Sequence, residues 1–249
     1  MRTAPMPLLL VLSFAGPALA APDADTLLKQ TYDNYRSTSS QTTVAMTIHR
    51  PTWERSLQMK AWTRGESDAL VRFTGPAKDA GNATLKLGQQ TWVYNPKLNQ
   101  VIQLPASMMS QSWMGSDFSY NDLSKSDDLI TDYTHRIVSS GQDGGHATWT
   151  VESVPKPGAP VVWGKVDVTV RDDFVITGET YFDQDMKPAR RMATNKVGVL
   201  GGRTYPLSMT MSPLDQPGQW TRIETSDGKF NAAVPAYVFT LSNLQNPRP

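Results

Sequence analysis

The side chains with the chemistry for catalysis or metal binding do not assemble into a known reactive pattern. Three histidines, His49, His135 and His146, stand on separate predicted strands, with no pairing at ligand spacing. There is no cysteine, so a Cys/His zinc site is excluded. The chain holds no G-x-S-x-G elbow, no H-E-x-x-H and no phosphate loop of the Walker type. Asp183-Gln184-Asp185 begins like a calcium loop, but Pro188 stands where that loop needs glycine and the closing glutamate is missing. It reads as a hairpin turn. Asp127-Asp128 and Asp172-Asp173 read as turns or helix starts. Ser116-Asp117 is the one polar pair set among large apolar side chains, and without a neighbouring histidine it reads as a helix cap rather than an activated nucleophile. The sequence therefore predicts no catalytic residue, no resident metal and no cofactor. An enzyme acting at a pocket mouth through Ser116 and Asp117 is the weakest of the readings considered.

The unusual stretch is 104–123, LPASMMSQSWMGSDFSYNDL. Met108, Met109, Trp113, Met114 and Phe118 lie among Ser, Gln, Gly and Asp, with a period of neither 2 nor 3.6. Long apolar groups on such a backbone suggest a loop or broken helix covering an apolar surface. Methionine adapts to irregular partners, and tryptophan brings a large apolar face with one N–H. The bland alternative is a loop tucked into the protein's own core.

The flanking elements are mostly strands. Residues 23–37 place Leu27, Leu28, Thr31, Tyr32 and Tyr35 on one helical face, with Asp25 as the expected N-cap. Alternation then predicts strands at 42–50, 55–63, 68–74, 82–87, 90–94 and 100–104, a six-strand meander joined by short turns. After the central stretch, strands are expected near 133–139, 146–153, 161–171, 175–183, 189–199, 204–211 and 219–226, with a short helix at 235–241. Thirteen strands with a few helices should curl into a barrel or part-barrel. No Ser/Gly/Pro linker divides the chain, so one domain is expected over 21–249.

Residues 1–20 have a basic start, an apolar core from Leu8 to Leu12 and an Ala18-Leu19-Ala20 ending, which reads as a secretory signal peptide cut after Ala20. Removing it takes away Arg2 and leaves 23 Lys+Arg against 23 Asp+Glu. That balance argues against nucleic-acid binding, which needs a basic surface. Without cysteine, a secreted chain must hold its fold by core burial alone. Met46, Met59, Met192, Met209 and Met211 fall on predicted strands, where β-branched residues normally specify packing better. An apolar cavity for variable guests would explain them, as would ordinary core packing. Alternation places Met46, Ile48, Met59, Val71, Phe73, Leu85, Leu87, Met209 and Met211 on the concave face, with Met108, Met109, Trp113, Met114 and Phe118 as its lid.

Residues Gln111–Leu123, QSWMGSDFSYNDL, resemble the signature Q-S-[FW]-M-G-S-D-F-[ST]-Y-E-D-L of the outer-membrane lipoprotein-sorting family, relatives of the periplasmic carrier LolA; Asn121 replaces an acidic residue. Thr91-Trp92-Val93-Tyr94-Asn95-Pro96 is similar to that group's W-x-Y-[ND]-P element. Val151–Pro155, Val166–Val170 and Thr221–Phe230 leading to Phe239-Thr240 support the same resemblance, which spans essentially all of 21–249. It implies a mainly β fold: a half-open, strongly curved antiparallel sheet, an incomplete barrel, with helices and a lid over its concave apolar face. It also implies a monomeric periplasmic carrier of lipid or lipoprotein acyl chains, loaded by an inner-membrane RND/MMPL-type transporter and unloaded at an outer-membrane acceptor. Such half-barrels also serve as periplasmic sensory or regulatory modules, the alternative function. LolA holds its lid with an arginine that follows a strand tryptophan, and Trp62-Thr63-Arg64 offers Arg64 as that latch.

Overall fold

The computed structural model describes residues 22–124 and 128–248. The expected signal peptide, residues 1–20, and Asp127 lie outside the described residues. Helix α1 (Ala24–Arg36) opens the described chain. Asp23, two residues before the expected Asp25, is its N-cap, and its carboxylate accepts from Thr26 N at 2.9 Å. The expected face is the one α1 buries: Leu27, Leu28 and Thr31 are buried, and Tyr32 and Tyr35 pack beside them.

Six strands follow, β1 (Ser39–Arg50), β2 (Trp53–Arg64), β3 (Asp68–Gly75), β4 (Ala83–Leu87), β5 (Gln90–Asn95) and β6 (Gln100–Gln103). A single 3-10 turn (Ala106–Met108) and two short helices, α2 (Tyr120–Ser124) and α3 (Asp128–Asp132), occupy the middle of the chain. Seven strands complete the sheet: β7 (Tyr133–Asp143), β8 (His146–Pro155), β9 (Lys165–Arg171), β10 (Ile176–Phe182), β11 (Pro188–Leu200), β12 (Arg203–Pro213) and β13 (Trp220–Phe230). A 3-10 turn (Ala236–Phe239) and helix α4 (Leu241–Gln245) follow, where one short helix at 235–241 was expected. All thirteen strands join one antiparallel sheet, ordered β6-β5-β4-β3-β2-β1-β13-β12-β11-β10-β9-β8-β7. β13 pairs with β1 and joins the two meanders, and β6 and β7 remain as free edges, so the sheet is not closed.

Three apolar clusters set the layers. α1 and α3 cover β8–β10, burying Leu28 and Leu129 with Val151, Val166, Val168 and Ile176. The 113–123 stretch covers β1–β3, burying Trp113 with Met46, Ile48, Leu57, Met59 and Phe73. On the other face, the C-terminal segment covers β3–β5 through Val238, Phe239 and Leu244 against Leu70, Ala83 and Leu85. The register shows why these last two clusters are separate. Trp62, Leu70, Leu85 and Trp92 form one cross-strand row beneath α4, whereas Ala61, Val71, Thr84 and Val93 form the next. Neighbouring rows point to opposite faces. Arg72 shares the α4 face and donates from Nη2 to the carbonyls of Asn243 at 2.7 Å and Leu244 at 3.1 Å.

This row assignment corrects part of the expected groove. Leu85 and Leu87 lie under the C-terminal segment, on the face away from the lid. The pairing of β3 with β4, Leu70 with Leu85 and Val71 with Thr84, sets this parity after the connection at residues 76–82.

Candidate functional site

The stretch from Trp113 to Phe118 is a tight loop. Trp113 N donates to Phe118 O at 2.7 Å, and Ser116 N donates back to Trp113 O at 2.9 Å. Met114 (φ 55°) and Gly115 (φ 79°) both adopt the left-handed conformation that such a turn requires. Ser116 is buried, and its hydroxyl donates to Trp113 O at 2.7 Å, so it braces the turn. The expected capping role falls instead to Ser119 and Asp122. Ser119 N and Oγ donate to Asp122 Oδ2 at 2.7 and 2.9 Å at the start of α2.

The loop drives Trp113 into the sheet. Its ring packs against Phe73 with centroids 5.3 Å apart, and Nε1 donates to Thr84 Oγ1 at 3.2 Å. Of the residues expected as the lid, Trp113, Met114 and Phe118 pack over Met46, Ile48, Met59, Val71 and Phe73. Met108 and Met109 are half-buried outside that cluster, and Met109 lines a separate shallow cleft of about 390 Å³ beside Leu104 and Lys86.

Three arginines clamp this lid. Arg50 on β1 pairs with Asp117 at 3.1 Å and donates to Gly115 O at 3.0 Å. Thr221 Oγ1 adds a 2.6 Å bond to the same carboxylate. Arg55 on β2 donates to Met114 O at 3.3 Å. Arg190 on β11 forks onto Asp122, with Nη1 2.8 Å from Oδ2 and Nη2 against Oδ1. Its guanidinium lies between the rings of Trp163 (4.5 Å) and Tyr181 (4.4 Å). Arg64 does not touch the lid. It pairs with Asp68 at 2.7 Å and lies over Phe239 at 4.6 Å, on the α4 face. Trp62 and Arg64 share that face by the period-2 rule, which removes Arg64 from the latch role. A sequence signal for the true clamp did exist. Asp117 and Asp122 sit among large apolar groups, where carboxylates need partners, but the partners stand 67 and 68 residues away.

Next to the lid lies a cavity of about 550 Å³, within the range of small-molecule sites. Its floor is Met192, Met209, Met211 and Ile223 from β11–β13, with Val166 and Ile176 beyond them. Tyr32 and Tyr35 of α1, Leu129 of α3, and Trp113, Phe118 and Leu123 close it from above. Met209 and Met211 thus line open space, whereas Met46, Ile48, Met59, Val71 and Phe73 are occupied by the lid. Sequence reading missed the contribution of β9–β11 to this floor.

A buried carboxylate interrupts the apolar part of the lining. Glu179 accepts from Tyr32 Oη at 3.3 Å and from Tyr181 Oη. Burial raises its pKa against the opposing Tyr181 hydrogen bond and the nearby Arg190 charge. Burial also pushes the Tyr181 hydroxyl well above its usual value, so it remains a donor. The cluster of His146, Asp172 and Asp173 has oxygens and nitrogens at metal-ligand spacing among the described residues. Its groups are already engaged: His146 Nδ1 meets Asp172 at 2.6 Å, Arg171 forks onto Asp173 at 2.7 and 3.0 Å, and Asp172 accepts from Ala147 N. They tie the β9–β10 turn to β8.

A family profile described as "-like: Uncharacterized protein" matches residues 65–246. The chain belongs to that family. No curated protein matches it. Among solved structures, a DUF1329 family protein from Desulfovibrio piger superposes with TM-score 0.80 at 20% identity, over 88% of this chain and 97% of that one. A domain described as an outer membrane lipoprotein-sorting protein from Vibrio parahaemolyticus gives 0.77 at 19% identity, over 89% and 98%. A LolA superfamily protein from Nitrosomonas europaea gives 0.72 at 21% identity, over 88% and 98%. The fold is shared with these structures: mainly β, one open antiparallel sheet and a few short helices among the described residues.

Proposed function

We propose that this protein is a non-enzymatic periplasmic carrier. It would bind the acyl chains of a lipid or lipoprotein and shuttle them toward the outer membrane after release from an RND/MMPL-type transporter. The observation that carries this reading is the placement of the lid. Trp113, Met114 and Phe118 cover an apolar strip (Met46, Ile48, Met59, Val71 and Phe73) that adjoins the existing cavity. Displacing the lid would join strip and cavity into one longer groove.

The energetics support a latched groove. Each acyl CH₂ withdrawn from water is worth about 0.8 kcal/mol. A chain of about 16 carbons therefore resists aqueous transit by on the order of 10 kcal/mol. A carrier must offer an equivalent surface and then release it, which calls for closed and open states only a few kcal/mol apart. In the closed state the lid fills the strip with its own apolar side chains, and partly buried ion pairs hold it in register.

Native mass spectrometry of protein released gently from the periplasm, followed by lipid extraction, tests the reading. A co-purifying acylated molecule supports it. A ligand-free protein that also fails to take up a fluorescent fatty acid refutes it. The same spectra define the N-terminus, expected at Ala21 if residues 1–20 are a cleaved signal.

A further inference from the structure

The strands alternate in direction, so their connections fall on two rims of the sheet. One rim carries residues 51–52, 76–82, 96–99, 156–164, 183–187 and 214–219; the other carries 65–67, 88–89, 144–145, 172–175 and 201–202. The two rims differ in chemistry. The first presents an exposed large apolar side chain on its connections at Leu98, Val162, Met186 and Leu214, and at Trp53, the first residue of β2, each between 44% and 68% accessible. These are five of the ten such side chains among the described residues. Of the other five, Val138, Val154, Ile102 and Val199 lie within strands and Leu241 begins α4. The connections of the second rim carry none and are built from Gly, Glu, Ser, Gln, Asp, Phe174 and Val175.

Lysine follows the same asymmetry. Lys78, Lys97, Lys156 and Lys187 are exposed on four connections of the first rim, and the second rim's connections hold no Lys or Arg but do hold Glu66, Asp172 and Asp173. The first rim's connections carry four acids as well, Asp79, Asp183, Asp185 and Asp215, the last two exposed, so their charges balance, while the second rim's connections are net acidic. Arg55 matches Asp79, and Asp183 Oδ1 accepts from Asp185 N and Lys187 N inside its own turn. The cavity reaches this rim, because Val162 both lines it and is 44% exposed.

We propose that this rim docks on an anionic lipid bilayer, with the apolar tips entering the interface, the lysines meeting lipid phosphates and the cavity mouth facing the membrane. Separated apolar tips with interleaved lysines fit a surface that is apolar beneath and anionic above. They do not form the contiguous patch of a protein–protein contact. The proposal extends the carrier reading by naming the surface from which cargo enters or leaves, and it is tested by a different measurement.

The test is co-sedimentation of the protein, purified without detergent and with its N-terminus defined by intact mass, with vesicles of phosphatidylcholine alone or mixed with phosphatidylglycerol. Binding should require the anionic lipid and fall as salt rises. Each lysine near such a surface contributes about fivefold. Lys97→Glu/Lys187→Glu should therefore lower partitioning by roughly 25-fold or more. Leu98→Ser/Met186→Ser/Leu214→Ser should weaken it as well, while Val199→Ser, at a 76% exposed position toward the other rim, should not. All of these positions are exposed, so unchanged circular dichroism is expected. Absence of binding to anionic vesicles at low salt, or equal binding by the wild type and both rim variants, overturns the proposal. Failure of fatty-acid uptake with intact, rim-dependent vesicle binding would overturn the carrier reading and leave the docking surface standing.

Discussion

Replacing Trp113 by alanine should release the lid before it unfolds the sheet, and the size of the loss distinguishes a gate from a plain core segment. Trp113 is only 2% exposed, packs against Phe73 at 5.3 Å and donates to Thr84. Truncating a buried Trp or Phe in a rigid core costs about 3–5 kcal/mol, including about 0.5–1.5 from an aromatic pair and about 1 from a hydrogen bond. A gate behaves differently. If the open lid lies about 2–4 kcal/mol above the closed one, the variant can escape into the open state. The loss of global stability is then capped near that gap, however many contacts the closed state loses. Phe73 belongs to strand β3 and has no such escape, so Phe73→Ala should show the full 3–5 kcal/mol. Trp113→Ala should also take up a fluorescent fatty acid faster than the wild type. Urea unfolding and stopped-flow uptake measure the two effects. Equal, large losses in both variants with unchanged uptake rates would refute the gate.

The clamp makes a related prediction. Arg190→Met takes the cation from the partly buried Asp122, which keeps its bonds from Ser119 N and Oγ, a loss of at most about 3–5 kcal/mol if the lid stayed shut. Lid release should hold the observed loss near that of Trp113→Ala, with faster uptake, and combining the two should add little. Arg64→Met removes a partly exposed pair on the other face and should cost no more than about 1 kcal/mol with uptake unchanged. Glu179 predicts a pH dependence. Its pKa is raised in the folded state, so its contribution to stability is full below its ordinary value of 4.5 and is lost as pH rises through the elevated value. The stability of the wild type relative to Glu179→Gln should thus fall above about pH 4.5, and a flat difference in paired urea titrations would contradict the assignment. Gly115→Ala meets no atom within 4 Å but must hold φ 79°. It should cost about 1 kcal/mol of stability from conformation alone, read by thermal unfolding.

Local pattern determined much of this protein. Period-2 alternation marks the thirteen strands, and helical spacing marks the buried face of α1, because both depend on neighbours a few residues apart. The 113–118 loop was legible as a mismatch, large apolar groups on a Ser- and Gly-rich backbone, and its Trp113 is buried against the sheet. Tertiary structure decided the rest. Leu85 and Leu87 alternate as well as Val71 and Phe73, but the pairing of β3 with β4 after residues 76–82 sets β4 one step over and carries them to the α4 face. Arg64 satisfied the sequence pattern of a latch, yet Arg50, Arg55 and Arg190 hold the lid, brought to it by strand order. The cavity floor, with Val166, Ile176 and Met192, and the burial of Glu179 arise where α1 and the lid meet β9–β13. Which face a strand buries follows from one residue of register, and which arginine meets a carboxylate follows from how thirteen strands curve together. Neither quantity is local, so no window of sequence contains it.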